Sequence, residues 1–166
     1  MIIKLIVAQC KNRGIGYKNS FPWNHPTDLK YFAKVTTGAG NNAIIMGSNT
    51  YYSIGRTLPK RHNIILSSKL KNPSLNIFSS LENAIDSCKI LNIETIWIIG
   101  GEKVYREAIE KNIASEIHIS MINEDYVCDV FFPELPQYYK LIERKKLTDT
   151  IELQIFKTLP LGNRFL

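Results

Sequence analysis

The chain has 166 residues, enough for one domain with a sizeable core and too few for two. Apolar residues are 45% and charged residues 22%, ordinary for a soluble globular protein, and no apolar run is long enough to span a bilayer. The formal charge is +6, but the basic residues are spread out and the densest group, Lys69 to Lys71 with Arg61 and His62 upstream, is short; no nucleic-acid or membrane partner is expected, and a small polyanionic ligand suits the charge better.

The start, Met1 to Ala8, lacks the layout of a secretory signal and reads as a first strand, so a cytoplasmic location is the default expectation. Cys10, Cys88 and Cys128 show no ligand-like spacing, and His25, His62 and His118 are scattered. Neither a disulfide framework nor a metal site is expected.

In chain order, residues 3–9 form an apolar strand and residues 11–24 a loop rich in Asn, Gly and Lys. Pro26 suits a first helical turn, and Leu29, Phe32 and Val35 recur at helical spacing after it. Gly38 to Asn42 breaks the chain. Residues 43–47 read as a strand buried on both faces, and residues 50–54 as a short helix ended by Gly55. Residues 61–66 and 76–78 are further strands. Ser80 or Ser79 then caps a helix over 81–91, with Leu81, Ala84, Ile85 and Cys88 on its inner stripe. A strand at 95–99, Gly100-Gly101, a helix over 102–111 and a strand at 116–122 follow. Segments near 138–142 and 150–156 close the domain as an antiparallel hairpin. The alternation predicts an α/β fold: a mainly parallel central sheet of about eight strands, an antiparallel C-terminal hairpin and helices on both faces. The domain spans 1–158, and 159–166 is a loosely attached tail with Pro160 and Gly162.

Three strand ends carry chemistry suited to an anion. Gly100-Gly101 before a helix is either a tight turn or a phosphate cradle, where glycine backbone and helix-start amides meet negative charge. Gly47-Ser48-Asn49-Thr50 and Leu66-Ser67-Ser68-Lys69 follow two other strands. Together they predict a ligand crossing the carboxyl edge of the sheet. Asp28, four residues before Phe32 on one helix face, is either a surface cap or a proton-handling group in an apolar cleft. Arg61 is either a surface residue or a carboxylate clamp.

Five ordered segments resemble dihydrofolate reductase: Gly14-Ile15-Gly16 through Asn19, Pro22-Trp23 and Asp28 to Phe32; Ile45-Met46-Gly47 with Thr50, Ser53 to Arg56, Leu58-Pro59 and Arg61; Asn63 to Ser67; Ile99-Gly100-Gly101 through Tyr105; and Asp129 before Phe132-Pro133. The resemblance covers about residues 3–156. It implies transfer of hydride from NADPH to C6 of 7,8-dihydrofolate, with protonation at N5. The alternative is a same-fold reductase of another pterin or pyrimidine, such as the reductase domain of riboflavin synthesis; a non-enzymatic nucleotide or RNA binder is favoured by charge alone. The resemblance also leaves open a longer parent chain that continues into thymidylate synthase.

The catalytic residues implied by the resemblance are Asp28, Trp23 and Ser120. Asp28 would accept bonds from the pterin 2-amino group and ring nitrogen, with a raised pKa, while a water near the lid carries the proton to N5. Ile6, Val7, Ala8, Phe32, Ile54 and Leu58 would line the substrate site, and Arg61, near Thr36, would hold the glutamate carboxylate. The implied cofactor set is Ala8, Ile15, Gly16, Asn19, Gly47, Ser48, Asn49, Thr50, Leu66, Ser67, Ser68, Ile99, Gly100, Gly101, Glu102, Lys103, Val104 and Tyr105, with Tyr105 over the nicotinamide side of the cleft. Residues 14–24 resemble the family's mobile lid, braced by Asp129 accepting backbone donors near residues 16 and 17. Ser48 and Asn49 depart from the pattern: both are neutral where basic residues usually meet the 2′-phosphate, and Lys69 is the substitute cation. His25 replaces an apolar residue at the pocket rim and is expected at the surface. His118 stands where an aromatic is common and is expected to be structural, as are Cys10 and Cys88.

Overall fold

A computed structural model describes residues 1–158; the predicted tail, 159–166, lies outside the described residues. The strands are β1 (Ile2–Gln9), β2 (Gly14–Gly16), β3 (Asn42–Gly47), β4 (His62–Leu66), β5 (Asn76–Phe78), β6 (Thr95–Gly100), β7 (Glu116–Ile122), β8 (Val130–Phe131), β9 (Tyr139–Lys146) and β10 (Ile151–Thr158). The helices are α1 (Pro26–Thr37), α2 (Ser48–Ile54), α3 (Leu81–Ile90) and α4 (Glu102–Glu110).

Eight strands form one sheet in the order β5-β4-β3-β6-β1-β7-β10-β9. The pairs from β5 through β7 are all parallel, and β10 closes antiparallel on β7 and β9. This is the expected architecture. Its parallel centre is apolar on both faces: Ile44, Ile45, Met46, Ile96 and Ile98 are completely buried. Alternate side chains enter two cores. On one face Ile6, Ile44, Met46, Ile65, Trp97 and Ile99 meet Tyr31, Phe32 and Val35 of α1 and Tyr51 and Ile54 of α2. On the other face Leu5, Val7, Ile45, Ile96 and Ile98 meet α3 and α4 through Leu81, Ala84, Val104 and Ala108. The chain winds from β1 over α1 to β3, then returns over α3 to β6, which inserts between them. That reversal opens a crevice at the carboxyl ends of β1, β6 and β3.

Several boundaries differ from expectation. The segment 11–24 is not all loop: Gly14–Gly16 pairs antiparallel with Val130–Phe131, a two-stranded ribbon outside the main sheet. Neither strand has the length or alternation to be legible alone, since each exists only through a partner more than a hundred residues away. Helix α2 starts at Ser48 rather than residue 50, and α1 runs on to Thr37. Strand β9 extends to Lys146, beyond the predicted 142. Its last residues, Glu143 to Lys146, are charged and exposed at the sheet edge, where apolar patterning disappears and charge blunts edge pairing. Ser80, one of the two expected caps of α3, accepts from the Asn83 amide at 3.1 Å.

Candidate active site

Helix α1 places Asp28, in its first turn, and Phe32, one turn on, on the face turned to the sheet. Pro26 begins the helix, and its missing N–H falls among donors that have no helical partner there. Across from Asp28 stands Ser120, buried near the end of β7, whose hydroxyl acts to lower the Asp28 pKa. Burial pushes the Asp28 pKa up; Ser120 and the charge of His25 offset only part of it. The carboxyl is thus made proton-seeking by its surroundings, as expected.

Ile6 and Ile99 line the same side of the sheet, joined by Phe32, Ile54 and Leu58. Val7 does not line it. Its side chain belongs to the opposite core with α3 and α4, because neighbours along a strand point to opposite faces. Ala8, half-buried, follows at the strand end.

Arg61 closes the far end. Its Nη1 donates to Thr36 Oγ1 at 3.0 Å and its Nε to the Pro59 carbonyl at 2.9 Å. The loop beneath it is fixed by Asn63, which accepts from the Leu58 amide and donates to the carbonyls of Leu58 and Arg61, all at 2.7–2.9 Å. Asn63 appears in the sequence only inside a motif; its bracing role shows once the loop is folded. Burial and the nearby Arg56 make the Arg61 charge more costly, which favours an anionic partner.

The anion-suited strand ends converge. A Cβ on Gly101 would lie 3.4 Å from Thr50 Oγ1, and one on Gly47 would lie 3.4 Å from Val104 and 3.9 Å from the Gly101 amide. The junction between β3 and α2 therefore abuts the one between β6 and α4 in van der Waals contact. The N-cap of α4 is Gly101, with no side-chain cap, so the helix-start amides are available to a ligand. Val104 and Tyr105 point inward. Tyr105 lies beneath the junction rather than over the cleft, its hydroxyl 2.8 Å from both the Ile6 and the Ile99 carbonyl, which share its one proton. Glu102 pairs with Arg106 at 3.2 Å, and Lys103 is exposed. Beyond β4, Ser67 Oγ accepts from the amides of Lys69 and Leu70, while Ser68 and Lys69 are exposed. Ser48 and Asn49 open α2 without a charge.

Gly100 has φ +120°, and a Cβ there would sit 3.1 Å from the Tyr105 hydroxyl. The ring cannot yield without losing both carbonyl contacts. Gly100→Ala is expected to cost about 2–4 kcal/mol in urea unfolding, from backbone strain plus overpacking.

The segment that resembles the family's lid is built from β2 and the turn after it. Tyr17 and Ser20 exchange backbone bonds at 2.8 and 3.0 Å around Lys18 and Asn19, both at positive φ. Ile15 is buried in the core with α3 and α4, and Gly16 is half-buried. Asp129 braces the lid twice: its amide donates to the Gly16 carbonyl at 2.9 Å, and its carboxylate accepts from the Lys18 amide at 3.0 Å. Ser53 on α2 donates to the Asn19 carbonyl, so the lid tip reaches across to the far wall. Trp23 packs edge-on against Tyr126, with ring centres 5.4 Å apart, and tilts against Phe21. Tyr126 carried no signal in the sequence. His25 is not a plain surface residue: it is half-buried, with Nε2 3.0 Å from Glu124 Oε1. No helix among the described residues is long and apolar enough to cross a membrane, and no three of their His, Cys, Asp or Glu side chains form a metal-binding group.

The dihydrofolate reductase family model matches residues 2–159. The chain belongs to the dihydrofolate reductase family. It is 38% identical over 157 residues to the dihydrofolate reductase of Aedes albopictus, covering 84% of this chain and 83% of that protein. It is 42% identical over 152 residues to that of Buchnera aphidicola from Acyrthosiphon pisum, covering 89% and 90%. It is 35% identical over 150 residues to that of Bacillus subtilis, covering 89% and 85%.

Proposed function

We propose that this protein reduces 7,8-dihydrofolate to 5,6,7,8-tetrahydrofolate with NADPH. The carrying observation is the single carboxyl of Asp28, half-buried at the first turn of α1 opposite Ser120, with the Arg61 clamp at the other end of the same apolar wall. A pterin has N–H donors at one end, and the glutamate of a folate has carboxylates at the other. NADPH, when bound, supplies the hydride.

The residues divide the remaining work. Ionised Asp28 accepts from the pterin 2-amino group and the adjacent ring nitrogen, which fixes the ring and polarises it. Ser120 orients the carboxyl. Phe32, Ile54 and Leu58 pack against the aromatic body, and Arg61 holds the glutamate. The lid over residues 14–24 excludes bulk water and sets the reacting groups near contact distance. One admitted water delivers the proton to N5, because Asp28 is engaged at the other side of the ring. The glycine backbones of Gly47, Gly100 and Gly101, the α4 amides and Thr50 fit a pyrophosphate, and Ser67, Ser68 and Lys69 a further phosphate.

Loss of NADPH absorbance on addition of dihydrofolate, blocked by an antifolate, is the expected result. Lack of turnover with dihydrofolate but reduction of another pterin or a pyrimidine would replace this reading. With Ser48 and Asn49 neutral, Lys69 supplies the main charge near the 2′-phosphate. NADPH should be preferred over NADH by about 1–3 kcal/mol, the worth of one charge-assisted contact. That preference should shrink in high salt and in Lys69→Gln. A preference indifferent to both would remove Lys69 from the site.

A further inference from the structure

His118 is buried two residues before Ser120, on the same face of β7. Its Nδ1 lies 2.6 Å from the Tyr31 hydroxyl and its Nε2 2.6 Å from Glu116 Oε1. The ring stands edge-on to Trp97, with centres 4.9 Å apart, and stacks along Tyr31. Glu116 also faces Lys4 at 3.4 Å and Lys157 at 3.6 Å.

These partners fix the protons. Burial pushes the Glu116 pKa up, but His118, Lys4 and Lys157 together outweigh it and hold the carboxyl ionised. An ionised carboxylate only accepts, so Nε2 of His118 carries the hydrogen. Burial lowers the His118 pKa despite Glu116, so the ring is neutral at pH 7 and Nδ1 is a bare acceptor. Tyr31 donates to it; burial, Glu116, Glu143 and Asp28 all push the tyrosine pKa up and keep its proton on. The result is a directed chain from the Tyr31 hydroxyl through His118 to Glu116. Other charges acting on His118 are Lys4 on β1 and Glu143 on β9.

Tyr31 lies between Asp28 and Phe32 on α1, three residues from Asp28 and next to Phe32. Helix and strand therefore face each other twice on one side: Asp28 opposite Ser120, and one turn later Tyr31 hydrogen-bonded to His118. We propose that His118 is a positioning residue that, through Tyr31, holds the α1 turn bearing Asp28 and Phe32 in register against Ser120. The proposal rests on the dihydrofolate reading of the site. An Asp28 that must receive two N–H groups at once depends on that register, because hydrogen bonds weaken steeply off-line. The far end of α1 is tied through Thr36 to Arg61 and Asn42; the Tyr31–His118 bond is the side-chain tie next to Asp28.

The test is steady-state kinetics of Tyr31→Phe, His118→Phe and the double variant, with nitrogen NMR of the His118 ring in the unmodified protein. Each single variant should raise KM for dihydrofolate about five- to tenfold, the worth of about one net hydrogen bond, with kcat within about twofold. The double variant should match the singles, since both break one chain. KM for NADPH should not move. The ring should show a protonated Nε2 and a bare Nδ1 at neutral pH. A lowered melting temperature with unchanged dihydrofolate KM, additive effects in the double variant, or a protonated Nδ1 at neutral pH would each overturn the proposal. Failure of the unmodified protein to turn over dihydrofolate would instead overturn the underlying reading. If His118→Phe does not fold, Tyr31→Phe and the ring spectrum still decide.

Discussion

Asp28→Asn is expected to leave the fold and most NADPH binding intact and to lower turnover near pH 7 by about 10²- to 10⁴-fold. Asparagine keeps the shape and a carbonyl acceptor. It loses the charge, which polarises the pterin, and it places an amide donor where Ser120 and two ligand N–H groups also donate. Because the hydride acceptor improves when the ring is protonated, acid can supply in part what the carboxylate no longer does. The deficit should therefore narrow as pH falls. Stability should move the other way. Burial raises the Asp28 pKa above its ordinary value of 3.8, so the folded protein binds the proton more tightly than the unfolded chain. The stability this contributes is fully present below the unfolded pKa and is lost as pH rises through the folded one. Above the folded pKa the ionised carboxylate is thus a destabilising element, and there Asp28→Asn should melt higher than the unmodified protein. That gain should vanish toward pH 3.8. Calorimetric scans across this range check the sign, and pH profiles of kcat/KM check the catalytic half. Full turnover of the variant at pH 7 would remove Asp28 from the chemistry.

The sheet was legible because its centre obeys a simple rule. Strands buried on both faces read as short apolar runs, and Ile44-Ile45-Met46 and Ile96 to Ile99 could hardly be anything else. The breaks at the carboxyl edge were legible because glycine and hydroxyl residues interrupt those runs. Asp28, Phe32 and Arg61 could be named by their resemblance and are brought to one wall. What stayed hidden depends on partners remote in sequence. Gly14–Gly16 is a strand only because Val130–Phe131 lies beside it. Val7 was grouped with Ile6, although alternation sends it to the other core. The sequence marks His118 only as structural, and its hydroxyl partner is on α1, 87 positions away. Polar networks have no periodicity, so local pattern does not reveal them. The charged end of β9 escaped for a related reason: an edge strand need not be apolar.

Arg61→Leu should raise KM for dihydrofolate about 100-fold and leave kcat within about threefold. The guanidinium is already oriented, with Nη1 on Thr36 and Nε on Pro59, and Asn63 stiffens the loop that carries it. Little ordering entropy is left to lose when a carboxylate arrives, so the charge-assisted bonds appear largely as affinity. The clamp lies at the opposite end of the wall from Asp28, and the carboxylate it would hold does not change during reduction. Its contribution is the same before and during the reaction, which is the signature of uniform binding. Arg61→Lys should recover only part of the loss, because an ammonium keeps the charge but cannot present two parallel donors. Folding should not suffer, since burial and Arg56 already work against the Arg61 charge and leucine relieves both. A dihydropterin lacking the glutamate supplies the decisive control. The unmodified protein and Arg61→Leu should handle it alike if the arginine acts on the carboxylate. If the variant were equally impaired on both substrates, Arg61 would be holding the loop of Leu58 in place rather than holding the ligand.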